Sequence, residues 1–96
     1  MKNVLITGGA KRIGRAIALG LAADGWGVAV HYRGSAEAAA KTVQDIVDAR
    51  GRATALQADL ADVNALSPLM ERARAEIGPL TALINNASLF ANDDLE

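Results

Sequence analysis

Short aliphatic runs alternate along this chain with longer segments in which apolar residues recur every three or four positions. The short runs are typical of buried strands, and the three-to-four-residue recurrence is typical of helices that pack along one face. The pattern predicts four strands, over residues 4–6, 28–32, 53–58 and 80–85. It also predicts three helices between them, which start near residues 13, 36 and 62 and end near residues 24, 50 and 77.

Each predicted helix carries an apolar stripe and ends where a residue disfavours further helix. Ser35 is predicted to cap the second helix, and Gly51 and the Gly78-Pro79 pair are predicted to end the second and third. The residues predicted to face the core are Ile13, Ile17 and Leu21 in the first helix, Val43, Ile46 and Val47 in the second, and Leu66, Leu69, Met70, Ala73 and Ile77 in the third.

The order of these elements predicts the fold class. Strands that alternate with helices, joined by short connections, form right-handed crossovers and a parallel sheet covered on both faces. We therefore predict an α/β fold with a doubly wound parallel sheet of the Rossmann type, in the order β-α-β-α-β-α-β. The 96 residues contain no linker and no internal repeat, which indicates one structural unit over residues 1–96.

Composition and charge exclude several classes of protein. The chain is 51% apolar but only 3% aromatic, and its 21 alanines favour close packing of helices on the sheet. It has no cysteine and one histidine, which excludes a disulfide framework, a thiolate zinc site and a polyhistidine metal site. A net charge of −1 favours neither a nucleic-acid nor a membrane-surface partner. With no apolar run near the roughly 20 residues that span a bilayer, and no signal-peptide pattern, we predict a cytoplasmic location.

The segment Thr7-Gly8-Gly9-Ala10-Lys11-Arg12-Ile13-Gly14 joins the first predicted strand to the first helix. A glycine turn in this position lets backbone N–H groups and the helix dipole face a pyrophosphate. Gly8 permits the sharp exit from the strand, and Gly14 lets the helix approach the sheet. The alternative is an ordinary strand-to-helix turn that happens to use glycine. A P-loop is excluded because no Gly-Lys-Ser/Thr sequence opens the helix.

The segment after the second strand indicates which dinucleotide the chain prefers. In dinucleotide-binding folds an acidic residue there accepts from the ribose 2′-hydroxyl of NAD, whereas a cation accommodates the 2′-phosphate of NADP. Residues 31–35 contain no carboxylate, and Arg33 and Ser35 can bind a phosphate. The predicted cofactor is therefore NADP(H), contacted here by His31, Tyr32, Arg33 and Ser35. The alternatives are a solvated loop charge for Arg33 and a packed side chain for His31.

Three motifs in order resemble the signatures of the short-chain dehydrogenases/reductases. They are Thr7-Gly8-x-x-x-Arg12-x-Gly14, Asp59-Leu60 and Asn85-Asn86-Ala87-Ser88. Most of that family has glycine where this chain has Arg12 and Ser88. Arginine at the first position, the sequence Ala87-Ser88-Leu89-Phe90 and the sequence His31-Tyr32-x-x-Ser35 resemble the pteridine reductase branch. One departure is Gly34, where that branch has a basic residue.

The resemblance implies a role for each motif. It implies that Asp59 accepts from the adenine amino group beside Leu60, and that Asn86 and Ala87 line the ribose while Asn85 ties strands together. The alternative for Asp59 is a carboxylate that only stabilises a turn. The cofactor-binding residues it implies in the turn and after the fourth strand are Gly8, Arg12, Ile13, Gly14, Asn86, Ala87 and Ser88. The substrate contacts it implies are Arg12, Ser88 and Phe90, around a pterin or similar planar heterocycle that accepts a hydride. The alternative for Phe90 is a side chain that only packs under the carboxyl-terminal half of the longer protein.

The resemblance places the proton-donating tyrosine, its lysine and a serine beyond the Asn-Asn-Ala-Ser segment, so we predict no catalytic residue within residues 1–96. Tyr32 lies at the adenosine end and does not replace that tyrosine. The expected protein is a longer reductase of a small molecule, a homotetramer by family resemblance, of which this chain is the amino-terminal part. Two alternatives stay open: a general carbonyl or 3-oxoacyl reductase of the same family, and a non-catalytic NADP-binding sensor.

Overall fold

The computed structural model describes residues 2–62 and 64–86. It contains seven elements in the predicted order. The strands are β1 (Asn3–Thr7), β2 (Gly27–Tyr32), β3 (Arg52–Gln57) and β4 (Ala82–Asn85), and the helices are α1 (Arg12–Ala23), α2 (Ala36–Asp48) and α3 (Leu66–Ile77).

The four strands form one parallel sheet in the order β3-β2-β1-β4. Val4 of β1 is in register with Val28 of β2 and with Ala82 of β4. Since all strands run the same way, their carboxyl ends lie along one edge of the sheet. The segments that follow β1, β2 and β3, together with Asn86 after β4, therefore meet at that edge, and they include residues of the three sequence motifs.

Helices cover both faces of the sheet, which confirms the predicted fold class. Along β1 the side chains alternate, so that Val4 and Ile6 pack into one buried cluster and Leu5 packs into the other. The first cluster contains residues of α1 and α2, and the second contains residues of α3. The small residues Ala18 of α1 and Ala39 of α2 are fully buried where these helices face the sheet. The alanine-rich composition thus serves close helix-on-sheet packing.

Two residues predicted to face the core are instead exposed. Ile13 is 54% exposed and Val47 is 48% exposed. In α1 the buried line consists of the small residues Gly14 and Ala18, which leaves Ile13 at the margin of the interface. In α2 the buried line passes through Ile46, and the 100° step to the next residue turns Val47 outward.

Several predicted boundaries are also wrong. The third helix begins at Leu66 rather than near Asp62, because Asp62 makes a local turn in which its Oδ1 accepts the N–H of Asn64 at 2.9 Å. The fourth strand begins at Ala82 rather than at residue 80. Ser35 occupies the N-cap position of α2, but its side chain does not make the capping hydrogen bond.

At the opposite edge of the sheet, away from the motifs, the buried residue Asn3 connects neighbouring segments through hydrogen bonds. Its Nδ2 donates to the Pro79 carbonyl at 2.8 Å, and its Oδ1 accepts from Arg52 Nη2 at 2.8 Å. The backbone N–H of Asn3 donates to Thr81 Oγ1 at 3.2 Å. A Cβ at Gly27 would overlap Asn3 Oδ1 and lie 2.6 Å from Arg52 Nη2, so a larger residue there would displace the side chains of this network.

Helix α2 ends in a Schellman motif that has arginine where glycine is preferred. Gly51 N–H donates to the Ile46 carbonyl at 2.8 Å and Arg50 N–H to the Val47 carbonyl at 2.9 Å. Arg50 consequently has φ +70°, in the left-handed region that disfavours side chains. Helix α1 ends in the same motif with Gly25 at φ +94°.

Replacing Arg50 by glycine should therefore stabilise the fold. We expect Arg50→Gly to raise the free energy of unfolding by about 0.5–1 kcal/mol, since it relieves the left-handed strain at some cost in chain entropy. Urea denaturation measures this change. Arg50→Ala is the control, because it removes the charge and keeps the strain. An equal gain from both variants, or none from Arg50→Gly, would contradict the explanation.

Among the described helices, none has both the length and the apolar character needed to cross a membrane.

Candidate functional site

The turn after β1 lies among the segments that follow the other three strands. Gly8 leaves β1 with φ +64°, as the predicted sharp exit requires. The Gly8 N–H donates to His31 Nδ1 at 2.9 Å, and the Gly9 N–H donates to the His31 carbonyl at 3.0 Å. Both amides thus point into the protein. An anion at this turn would therefore bind the N–H groups of the residues that follow Gly9.

Those amides open helix α1. The first helical hydrogen bond runs from the Arg15 N–H to the Lys11 carbonyl at 3.2 Å. The N–H groups of Arg12, Ile13 and Gly14 precede it and have no acceptor within the helix, which is the geometry that binds anions at helix N-termini. Arg12 is exposed and has φ +57°, in the region where glycine is the usual residue. Such strain in a non-glycine residue is typical of functional positions.

His31, which is 3% exposed, connects the ends of three strands through its imidazole. Its Nδ1 accepts from the Gly8 N–H, and its Nε2 lies 2.8 Å from the Ala58 carbonyl. An amide can only donate and a carbonyl can only accept, so the ring is neutral and carries its proton on Nε2. The imidazole is therefore packed inside the protein, as the alternative interpretation of His31 proposed. The predicted contact of His31 with a cofactor stays a prediction.

Gly14 and Asn86 fix the other side of the turn. Asn86 Nδ2 donates to the Gly8 carbonyl at 3.0 Å. A Cβ on Gly14 would overlap the Gly8 carbonyl oxygen and would lie 2.8 Å from Gly9 Cα and 2.9 Å from Asn86 Nδ2. Gly14 is therefore needed for contact between α1 and the turn itself, whereas the sequence indicated contact with the sheet.

Asn86 also presents an unusual acceptor. The residue is 5% exposed, and no donor in residues 2–62 or 64–86 reaches its Oδ1. A buried amide oxygen without a donor is costly, so this atom suits a ligand hydroxyl or amide. The preceding residue, Asn85, has the predicted structural role, since its Oδ1 accepts from Thr7 Oγ1 at 3.0 Å and joins β4 to β1.

The segment after β2 lies beside the end of β3. Arg33 is exposed, and its carbonyl accepts from Gln57 Nε2 at 3.0 Å. Arg72 on α3 donates to the backbone carbonyl of Gln57 at 2.9 Å. Tyr32 is half-buried against the α1–α2 cluster, and Ser35 begins α2. The structure thus brings the predicted residues 31–35 to the same edge as the turn.

The segment after β3 holds the second motif. Asp59 is exposed, and its Oδ1 accepts the Ala61 N–H at 3.0 Å. One oxygen of this carboxylate therefore stabilises a local turn. Leu60 packs against the α3 cluster. The predicted residues Ala87, Ser88 and Phe90 lie outside the described residues.

Sequence reasoning missed one buried residue of this site. Thr42 on α2 is fully buried, and its Oγ1 lies 2.9 Å from the carbonyl oxygen of Ala10 in the turn. The available signal was a polar residue on the inner face of a helix that is otherwise alanine, valine and isoleucine there. Arg15 on α1 donates to Thr42 Oγ1 at 3.0 Å and forms an ion pair with Asp45.

Asp45 is held between two cations. The Arg15 guanidinium first, and the Lys41 ammonium second, lower the pKa of the Asp45 carboxyl below its ordinary value. Lys41 Nζ lies 3.1 Å from Asp45 Oδ1. This network holds α1 against α2 beside the turn. Within the part of the chain that the structure describes, no group of three or more His, Asp or Glu side chains is placed to hold a metal ion.

A parallel sheet whose first strand leads through a glycine turn into a helix N-terminus defines the Rossmann class of α/β folds. A family model described as short chain dehydrogenase matches residues 2–96. The chain therefore belongs to the short-chain dehydrogenase family.

Relatives of known sequence and structure agree with this assignment. The 3-oxoacyl-[acyl-carrier-protein] reductase FabG of Staphylococcus aureus is 39% identical over 88 residues, which cover 92% of this chain and 36% of the relative. The structure of FolM alternative dihydrofolate reductase 1 from Brucella canis, complexed with NADP, is 43% identical with a TM-score of 0.85. That match covers 93% of this chain and 35% of the other. The chain thus spans about a third of the length of these relatives.

A third relative differs in its named activity. A probable tetrahydroxynaphthalene reductase of Zymoseptoria tritici is 41% identical over 90 residues, which cover 94% of this chain and 34% of that protein. The relatives therefore share the reductase class while differing in substrate.

Proposed function

We propose that residues 1–96 are the amino-terminal part of one NADP(H)-binding domain, and that the complete protein is an NADPH-dependent reductase of a planar heterocycle such as a dihydropterin. The observation that carries the cofactor assignment is the edge of the sheet where the turn meets residues 31–35. Residues 31–35 include Arg33 and Ser35 and contain no carboxylate. The NADP in the FolM structure supports the same cofactor.

The residues at this edge fit a dinucleotide. The absence of a side chain at Gly14 keeps the turn closed against α1 and leaves three helical amides for a diphosphate. The buried Asn86 Oδ1 lacks a donor among the described residues, and a ribose hydroxyl is a suitable one. Arg33 supplies positive charge at the segment expected to meet the 2′-phosphate.

The proposed contacts divide the cofactor among the four segments. The amides of Arg12, Ile13 and Gly14 bind the diphosphate, with the guanidinium of Arg12 beside it. Residues 31–35 bind the adenosine ribose and its 2′-phosphate. The remaining assignments are Asp59 and Leu60 for the adenine, Asn86 and Ala87 for the ribose, and Ser88 for the cofactor phosphate or substrate.

NADPH, when bound, supplies the hydride that reduces a carbonyl, imine or carbon–carbon double bond. The described residues of this chain bind and orient that cofactor. The neutral His31 and the amide of Asn86 keep the backbone of the turn in place, because each bonds to Gly8. No proton donor for the substrate is assigned within residues 1–96.

The substrate assignment rests on Arg12 and on the sequence Ala87-Ser88-Leu89-Phe90. The resemblance to pteridine reductases places Ser88 and Phe90 beside the substrate, and a planar pterin ring can stack on phenylalanine. The relative named alternative dihydrofolate reductase supports a pterin-like substrate. The similarity to 3-oxoacyl-[acyl-carrier-protein] reductase FabG favours one alternative, an acyl ketone.

An assay of the complete protein with NADPH distinguishes these substrates. We expect turnover of dihydropterins, and we expect Phe90→Ala to raise the KM for the pterin about tenfold, the effect of losing roughly 1.4 kcal/mol of stacking and contact. Phe90→Tyr is the control, because it keeps the ring. Turnover of 3-oxoacyl substrates alone would favour the acyl-ketone alternative. NADPH binding without turnover of either class would favour a sensor.

The resemblance also leads us to propose a homotetramer in the cytoplasm.

A further inference from the structure

The hydroxyl of Thr42 links helix α2 to the phosphate-binding turn. Thr42 Oγ1 lies 2.9 Å from the Ala10 carbonyl oxygen and 3.0 Å from the Ala38 carbonyl oxygen, and Arg15 Nη1 lies 3.0 Å from it. A guanidinium only donates, so Oγ1 accepts from Arg15, and its single proton is shared between the two carbonyl oxygens. Thr42 is fully buried, so water does not replace this contact.

The two carbonyls differ in how much they depend on that proton. The Ala38 carbonyl lies four residues before Thr42 in α2, where the helix supplies a backbone N–H to it. The Ala10 carbonyl lies in the turn between β1 and α1. We therefore expect loss of the hydroxyl to act mainly on the peptide group that joins Ala10 to Lys11.

The orientation of that peptide group matters for anion binding. The described residues contain no cis peptide bond, and in a trans peptide the C=O and N–H point in opposite directions. Because the Ala10 C=O points to Thr42 on α2, the Lys11 N–H points away from α2. Lys11 directly precedes the helical amides of Arg12 and Ile13.

We propose that Thr42 is a positioning residue for the cofactor diphosphate. Its hydroxyl holds the Ala10–Lys11 peptide, and through it the first amides of α1, in the orientation that receives the diphosphate. This inference rests on the proposed NADP(H) site and adds a residue that lies outside the turn and outside each sequence motif.

The test compares two ligands that differ in the diphosphate. In the complete protein we expect Thr42→Val to raise the Kd of NADP+ about tenfold. The Kd of 2′-AMP, which has the 2′-phosphate and no diphosphate, should change less than about twofold. Thr42→Ser, which restores a hydroxyl, should return the Kd of NADP+ to the unmodified value. Calorimetric titration measures the Kd of both ligands, at a temperature well below the melting temperature of each variant.

A second threonine provides the control for a purely structural effect. Thr81 Oγ1 donates to the Asn3 carbonyl at 3.1 Å, at the edge of the sheet away from the turn. Thr81→Val should lower the melting temperature and leave both Kd values unchanged. If Thr42→Val does not fold, Thr42→Ala allows the same comparison of NADP+ with 2′-AMP. This variant removes the hydroxyl without placing an additional methyl group in the core.

An unchanged Kd of NADP+ in Thr42→Val, or an equal loss for NADP+ and 2′-AMP, would overturn the positioning role while leaving the proposed function intact. Failure of the unmodified protein to bind NADP+ would overturn the proposed function and this inference with it.

Discussion

Gly14→Ala is expected to weaken NADPH binding about tenfold or more and to destabilise the fold by about 1–3 kcal/mol. The added Cβ would overlap the Gly8 carbonyl oxygen and lie 2.8 Å from Gly9 Cα, and both of these are backbone atoms that no side-chain rotation can move away. Either α1 or the turn must shift. A shift of either one changes the relation between the helical amides and the residues that hold Gly8.

Gly20→Ala is the matched control in the same helix. A Cβ at Gly20 would meet nothing within 4 Å. Because alanine favours helix over glycine, Gly20→Ala should stabilise the fold by about 0.5–1 kcal/mol and leave the Kd of NADPH unchanged. Denaturation and fluorescence titration of the two variants measure both effects. Wild-type NADPH affinity in Gly14→Ala would show that contact between α1 and the turn does not set the phosphate site.

Arg33→Asp is expected to change the ratio of NADPH to NADH affinity by roughly 100-fold in favour of NADH, or about 2.7 kcal/mol. The substitution removes the cation proposed to pair with the 2′-phosphate and places a carboxylate there. A carboxylate repels the phosphate and accepts a hydrogen bond from the 2′-hydroxyl of NADH. The Kd of each cofactor, from nicotinamide fluorescence, gives the ratio.

Arg74→Asp makes the same change of charge on an exposed part of α3, where Arg74 pairs with Glu71 at 3.1 Å. It should leave the ratio within about twofold of the unmodified value, because Arg74 is not among the residues proposed to bind the cofactor and its exposed charge is screened by water and salt. An equal change in both variants would assign the effect to net charge, and no change in Arg33→Asp would remove Arg33 from the phosphate site.

The order of the elements was predictable because short aliphatic runs mark the strands, while Gly8 follows the first strand and Gly25, Gly51 and Gly78 follow the three helices. The position of the proposed cofactor site was predictable from the same pattern, because the carboxyl ends of parallel strands lie along one edge of the sheet. The start of α3 was not predictable from apolar spacing, because the side chains of Asp59 and Asp62 bond to nearby backbone amides and form turns before Leu66.

The contacts that hold the turn were beyond sequence reasoning because they join residues far apart in the chain. The bonds of His31 to Gly8 and Ala58 depend on the register of three strands. The bond of Thr42 to Ala10 depends on how α2 packs beside α1. The left-handed backbone of Arg12 gives a physical reason why glycine, common at this position in the family, is the easier residue there.

Titration of the unmodified complete protein with NADPH and with NADH tests the cofactor assignment most directly. We expect NADPH to bind about tenfold more tightly or better, a difference of about 1.4 kcal/mol or more. Tighter binding of NADH by a similar factor, or binding of neither cofactor, would contradict the proposal that Arg33, Ser35 and the amides of α1 form an NADP(H) site.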